Sequence, residues 1–171
     1  MPNKVYINPE TPRTWSDAGT TSDELMDLGG LVADGVVCGS FWDRGVAPFA
    51  EDFDVELFID GFNTAPVVGE TILLYFTESD GTTGFDGRPT TDPTDTAEGT
   101  VTTDQIKNLG VPAVIVSVVS TTAGDNLQAR AKIKLTKRYV APVVHNNTAD
   151  ALLSTSDAHM VTLTPIPPEI Q

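Results

Sequence analysis

The residues of this chain best suited to chemistry are carboxylates. Asp80, Asp86, Asp92, Asp95 and Glu98 fall within a stretch of Thr, Gly, Pro and Asp between 79 and 99. Hard cations such as calcium take six to eight oxygen ligands, so clustered carboxylates have the right donor atoms. The spaced Asp-x-Asp-x-Asp-Gly pattern that builds a calcium loop is missing, however, and a solvated loop is expected. Paired carboxylates for glycoside hydrolysis need a cleft and one partner held protonated, and nothing singles out such a pair. His145 and His159 have no second His, Cys or Glu at a metal-ligand spacing; both read as surface or structural. The single cysteine, Cys38, excludes an intrachain disulfide. Within Val36-Val37-Cys38-Gly39 it reads as a small buried hydrophobe. No Gly-x-Ser-x-Gly, Walker or Gly-x-Gly-x-x-Gly motif occurs. Gly81, Gly84 and Gly87 are spaced by three but have no helix after them. The sequon Asn146-Asn147-Thr148 matters only in a secretory compartment. No catalytic, cofactor-binding or metal-ligating residue is therefore assigned, no cofactor is expected, and the chain does not read as an enzyme.

The most distinctive pattern is electrostatic. Leu127-Gln128-Ala129-Arg130-Ala131-Lys132-Ile133-Lys134-Leu135-Thr136 alternates, so as a β-strand it has one apolar and one basic face. The whole chain carries 10 basic against 24 acidic residues, net charge −14. Five of those ten (Arg130, Lys132, Lys134, Lys137, Arg138) crowd into nine positions. Phe53 to Asp60 alternates in the opposite sense, with Phe53, Val55, Leu57 and Ile59 on one face and Asp54, Glu56 and Asp60 on the other. Opposed charges on facing strands contribute roughly 0.2–1 kcal/mol per pair. The two strands are thus expected to lie side by side, or their faces to meet across a subunit contact. The overall acidity argues against a nucleic-acid partner, which requires clustered Lys and Arg at phosphates. No apolar run approaches the ~20 residues of a membrane span, and the first residues show no apolar leader segment.

These charges need a scaffold. At 171 residues the chain is most simply one domain, with a core large enough to need no disulfide or metal. Residues 1–22, rich in Pro, Thr, Asn and Gly, read as an extended arm with a short strand at 4–7 and Trp15 as an anchor. Strands are expected at 24–28, 36–42, 53–60, 70–77 and 113–119. The last of these, nearly continuous Val and Ile, reads as buried on both faces. A loop fills 78–100. Thr102 to Leu109 is the best helix, with Thr102 and Gln105 as a capping box and Gly110 beyond its end. A turn at 122–126 would make 113–139 a hairpin. Val140 to His145 reads as a short strand, Thr148 to Leu153 as one helical turn and His159 to Thr164 as a last strand. The proline-rich tail 165–171 should be extended. Many short strands and almost no helix predict an all-β, two-sheet β-sandwich over 23–164, of jelly-roll type.

Three segments carry a resemblance: Lys4-Val5-Tyr6-Ile7-Asn8-Pro9-Glu10-Thr11, Arg138-Tyr139-Val140-Ala141-Pro142-Val143-Val144, and Leu163-Thr164-Pro165-Ile166-Pro167-Pro168-Glu169-Ile170-Gln171. Together they resemble small virion structural proteins of tailed bacteriophages. The resemblance implies a structural subunit, a capsid decoration (cement) protein. Its partners would be copies of itself, as a homotrimer, and the major capsid protein. Its location would be the outer surface of the virion, after synthesis in the host cytoplasm. Neither nucleic acid nor membrane is implied as a partner. A tail or fibre-associated component, or a carbohydrate-binding β-sandwich module presenting Trp15, Trp42 and the tyrosines, are the competing readings.

Overall fold

Alternation of apolar and polar residues dictates strands that bury one face, and such strands must stack in two layers. In the computed structural model, residues 10–17, 24–47, 49–80, 99–100, 103–155 and 158–167 are described, and they form two β-sheets packed face to face. The strands are β1 (Arg13–Ser16), β2 (Glu24–Leu25), β3 (Val36–Cys38), β4 (Trp42–Asp43), β5 (Asp52–Ile59), β6 (Thr71–Ser79), β7 (Gly99–Thr100), β8 (Val114–Ser117), β9 (Leu127–Lys134), β10 (Tyr139–Asn147) and β11 (Met160–Pro165). The first sheet has the order β2-β1-β11-β5-β9, and the second the order β7-β3-β10-β6-β8, with β4 also paired to β10. All pairings are antiparallel except β1 with β2. The all-β, two-sheet expectation therefore holds.

The core lies between the sheets. Phe53, Val55, Leu57 and Ile59, the apolar face read from β5, are all buried there with Trp15, Ile72, Leu74, Val140 and Leu163. Each such side chain contributes about 1.5–3 kcal/mol through the surface it removes from water. Trp15, Trp42 and Phe53 form an edge-to-face series with centroids 6.5 and 6.4 Å apart. A second apolar cluster, of Cys38, Tyr75, Tyr139 and Val143, occupies the outer face of the second sheet. It is covered by Ile106 and Leu109 from the short helix α1 (Thr103–Ile106) and the 3-10 turn after it (Lys107–Leu109). That turn ends at Gly110, whose φ of 79° suits glycine. The residue proposed to cap the helix, Thr102, lies outside the described residues, as do the 4–7 strand and most of the 78–100 loop.

Several expectations are corrected. Residues 13–16 belong to no arm: β1 sits inside the first sheet between β2 and β11, and Trp15 is fully buried. The tail begins later than residue 165, because Pro165 closes β11 and the Ile166 N–H donates to the Asp52 carbonyl. The 36–42 strand is broken into β3 and β4. Gly39, Ser40 and Phe41 lie between them, and the Gly39 N–H donates to the Pro142 carbonyl at 2.9 Å. The break explains how Pro142 survives within the central strand β10. A proline nitrogen cannot donate, and Pro142 directs its nitrogen and carbonyl to the side where β3 and β4 part. There Gly39 packs so closely that an added Cβ would stand 2.9 Å from Trp15. β10 runs nine residues, longer than expected, and buries both faces. β8, expected to bury both, does not: it is the last strand of its sheet, and Ile115 points outward. Nor do β8 and β9 form a hairpin. Both turn apolar faces inward, so the chain crosses between sheets at 118–126 and the two strands stack. Residues 148–150 form bends, not a helical turn.

Candidate functional site

The basic stripe lies on the outer face of the first sheet, where β5 and β9 pair in register over their whole length. Asp54 is opposite Lys132 and Glu56 opposite Arg130, while Lys134 faces Asp52. The side-by-side arrangement expected from the charges is thus the one adopted. Arg130 Nη2 meets Glu56 Oε2 at 2.6 Å, Lys134 Nζ meets Glu51 Oε2 at 2.8 Å, and the Gln128 amide donates to Glu56. Asp60 falls beyond the register; its N–H donates to His159 Nδ1 at 3.0 Å.

The stripe continues around the turn after β9. Arg138 grips Asp43 with Nε at 2.6 Å and Nη2 at 2.7 Å. This two-pronged contact holds the Asp43 carboxyl below its usual range. Lys137 pairs with Asp80. The Glu78 carboxylate accepts the N–H groups of Thr136 and Lys137 at 2.7 and 2.9 Å, which pins the turn to the end of β6. The carboxylates facing these cations outnumber them. The patch that looks basic in the sequence is therefore neutralised within the chain and offers no free surface for a polyanion.

Between β5, β9 and β11 the same face holds an open groove of about 390 Å³, lined by Asp54, Glu56, Arg130, Thr162 and Thr164. Within its wall Glu56 and Arg130 pair with each other.

A polar knot that the sequence did not reveal lies beside the turn after β9. Arg44 is wholly buried at its side chain and pairs with Glu10, 13% exposed, through Nε at 3.0 Å and Nη2 at 2.9 Å. Its Nη1 donates to the carbonyls of Lys137 at 2.9 Å and Leu135 at 3.3 Å, and Nη2 also donates to Ala50. Trp42, Phe49 and Phe53 present their rings to the guanidinium at 5.6, 4.7 and 5.2 Å. The one available signal was a lone arginine among aromatics.

The remaining sequence candidates are dispersed. Cys38 is buried under the second sheet's outer cluster. His145 Nε2 lies 2.8 Å from Asp34, a residue with φ of 54°. His159 accepts from Asp60 through Nδ1, so its Nε2 donates to the Leu153 carbonyl at 2.9 Å. Asn146, the sequon acceptor, is fully buried. Its amide donates to the carbonyls of Leu31, Val32 and Asp150 at 3.0, 3.0 and 2.8 Å, and its oxygen accepts from Thr148 at 2.7 Å. The side chain is thus a structural hub, closed to modification in the fold. Among the described residues no three His, Cys, Asp or Glu side chains are grouped to hold a metal ion. No helix among them is long and apolar enough to cross a membrane.

No protein-family model matches the chain, and no curated protein or solved structure matches it.

Proposed function

We propose that this chain is a bacteriophage virion structural protein that decorates and cements the outer surface of the capsid shell, in contact with the major capsid protein and with copies of itself. The observation that carries the reading is the strand order. Setting aside the short strands β2, β4 and β7, the sheets read β1-β11-β5-β9 and β3-β10-β6-β8. This order supports reading the fold as an eight-stranded jelly roll, an architecture used by viral capsid domains and by lectins. Fold alone does not choose between those uses; the surface supports one of them. A sugar-binding module stacks exposed aromatic rings on its ligand, whereas Trp15, Trp42, Tyr75 and Tyr139 are all buried here. That favours a shell protein over a carbohydrate-binding one.

The test is co-sedimentation of the purified protein with undecorated heads of the phage that encodes it, followed by thermal challenge of the heads. Saturable binding and a raised temperature of head rupture are expected. Protein left in the supernatant would overturn the reading, and retention on a glycan array would replace it with the carbohydrate-binding alternative.

A further inference from the structure

β8 leaves one edge of the second sheet open. It pairs with β6 through Ser117–Thr71, Val116–Ile72, Ile115–Leu73 and Val114–Leu74, and among the described residues no strand pairs its other side. Val118 N–H donates to Glu70 at 2.9 Å, so by the alternation of an antiparallel ladder Val114, Val116 and Val118 direct their backbone groups to β6. Ile115 and Ser117 therefore direct theirs outward. Natural edges are blunted by charge, proline or a bulge; residues 113–119 contain none of these charges or prolines. The side chains beside the edge are apolar and open to water: Ile115 is 52% exposed, Val119 73%, and Val67 and Val68 of the adjoining turn 54% and 55%. The Gly69 N–H bond to the Val118 carbonyl at 2.9 Å holds that turn against the strand.

The occupant follows from charge. Residues 111–124 carry no charged side chain in a chain of net charge −14. A basic partner would be drawn to the carboxylates elsewhere. An uncharged apolar strip is instead where a second, equally acidic copy can approach without opposing carboxylates. We propose that two copies of this chain pair antiparallel through β8, about a two-fold axis at Val116. Ile115 of each copy then exchanges both backbone hydrogen bonds with Ser117 of the other, and the second sheets join into one continuous sheet. The contact is isologous and closes at two copies. Where the family resemblance implies a trimer, the edge geometry points to a pair.

The test is solution mass by light scattering, with hydrogen exchange on the full chain. A mass twice that of the 18.2 kDa chain is expected, with the Ile115 and Ser117 amides protected alongside those of Val114 and Val116. Ser117→Pro removes an outward donor without touching the β6 ladder, and Val119→Lys adds a repelling charge. Each should halve the mass while circular dichroism and melting temperature stay close to the parent's. Val46→Lys, at an exposed valine outside the strip, should leave the mass unchanged. A monomer or trimer for the parent chain, or a dimer that survives both edge variants, would overturn the proposal. A dimer that fails to bind heads would overturn the cementing role and leave the pairing intact.

Discussion

Glu56 and Arg130 occupy directly opposed positions on β5 and β9, and their side chains meet at 2.6 Å on the outer face of the first sheet. The pair is partly open to water, with Glu56 25% and Arg130 69% exposed, so its contribution is small. Breaking it by Glu56→Gln is expected to lower stability by about 0.2–1 kcal/mol. Glu56→Lys should cost more, since it sets like charges opposite one another, and Arg130→Glu in the same chain should recover much of the loss. Urea denaturation of the two single variants and the double variant measures the coupling; a coupling near zero would show that the ladder does not support register.

The Arg44–Glu10 pair stands on a different scale because it is buried. Arg44→Ala leaves Glu10 and three backbone carbonyls without their donor, and a loss of about 3–5 kcal/mol is expected. Arg44→Lys should recover only part, since an ammonium lacks the planar fork that reaches Glu10 and the carbonyls together. Equilibrium denaturation decides; full rescue by lysine would show that charge alone matters at this position.

Asn146→Ala should be more damaging than its size suggests. The substitution strands the carbonyls of Leu31, Val32 and Asp150 in a buried setting, at a cost of about 1–3 kcal/mol. The same variant should speed amide exchange near residues 31–35, since this segment loses the side-chain bonds to Leu31 and Val32 that hold it against β10. Unchanged exchange there would refute the role of this side chain as a hub.

Acid sensitivity should concentrate below the ordinary carboxyl range. Hydrogen bonding from Arg138 lowers the Asp43 pKa from 3.8, and that from Lys134 lowers Glu51 from 4.5. A carboxyl whose folded value is lowered stabilises the fold above its unfolded value, and that contribution disappears as pH falls through the folded value. The fold should therefore lose these contributions only below pH 4.5 for Glu51 and below pH 3.8 for Asp43. In a carboxyl-carbon NMR titration, Arg138→Gln should bring Asp43 back up toward 3.8; an unmoved midpoint would contradict the assigned cause.

The β5–β9 pairing was legible because charge and apolarity alternate on both strands with opposite sign, and charge is visible one residue at a time. Edge position was not. A run such as Val114-Ile115-Val116 looks the same in a central strand as on an edge, because a run of apolar residues does not tell which neighbours the strand has. The turn chemistry at 122–126 was read correctly as reversal, yet Gly, Asp and Asn serve equally for a hairpin and for a crossing between sheets. Val140 to His145 was read only as a short strand, and the break at Gly39 on the facing strand is what makes Pro142 tolerable within the longer β10. The Arg44 knot joins residues 34 positions apart, beyond the reach of any local pattern. Asn146 was visible only as a sequon, since two of its three carbonyl partners, Leu31 and Val32, lie in a loop distant in sequence.

β11, the last strand, pairs with β1, the first, through Leu163 opposite Arg13 and Val161 opposite Trp15, and it sits in the interior of its sheet. β10, almost as late, holds the middle of the other. The central strand of each sheet is therefore made after the strands that flank it, and β1 gains its β11 partner only once residues 160–165 have been made. Such long-range closure makes folding slow.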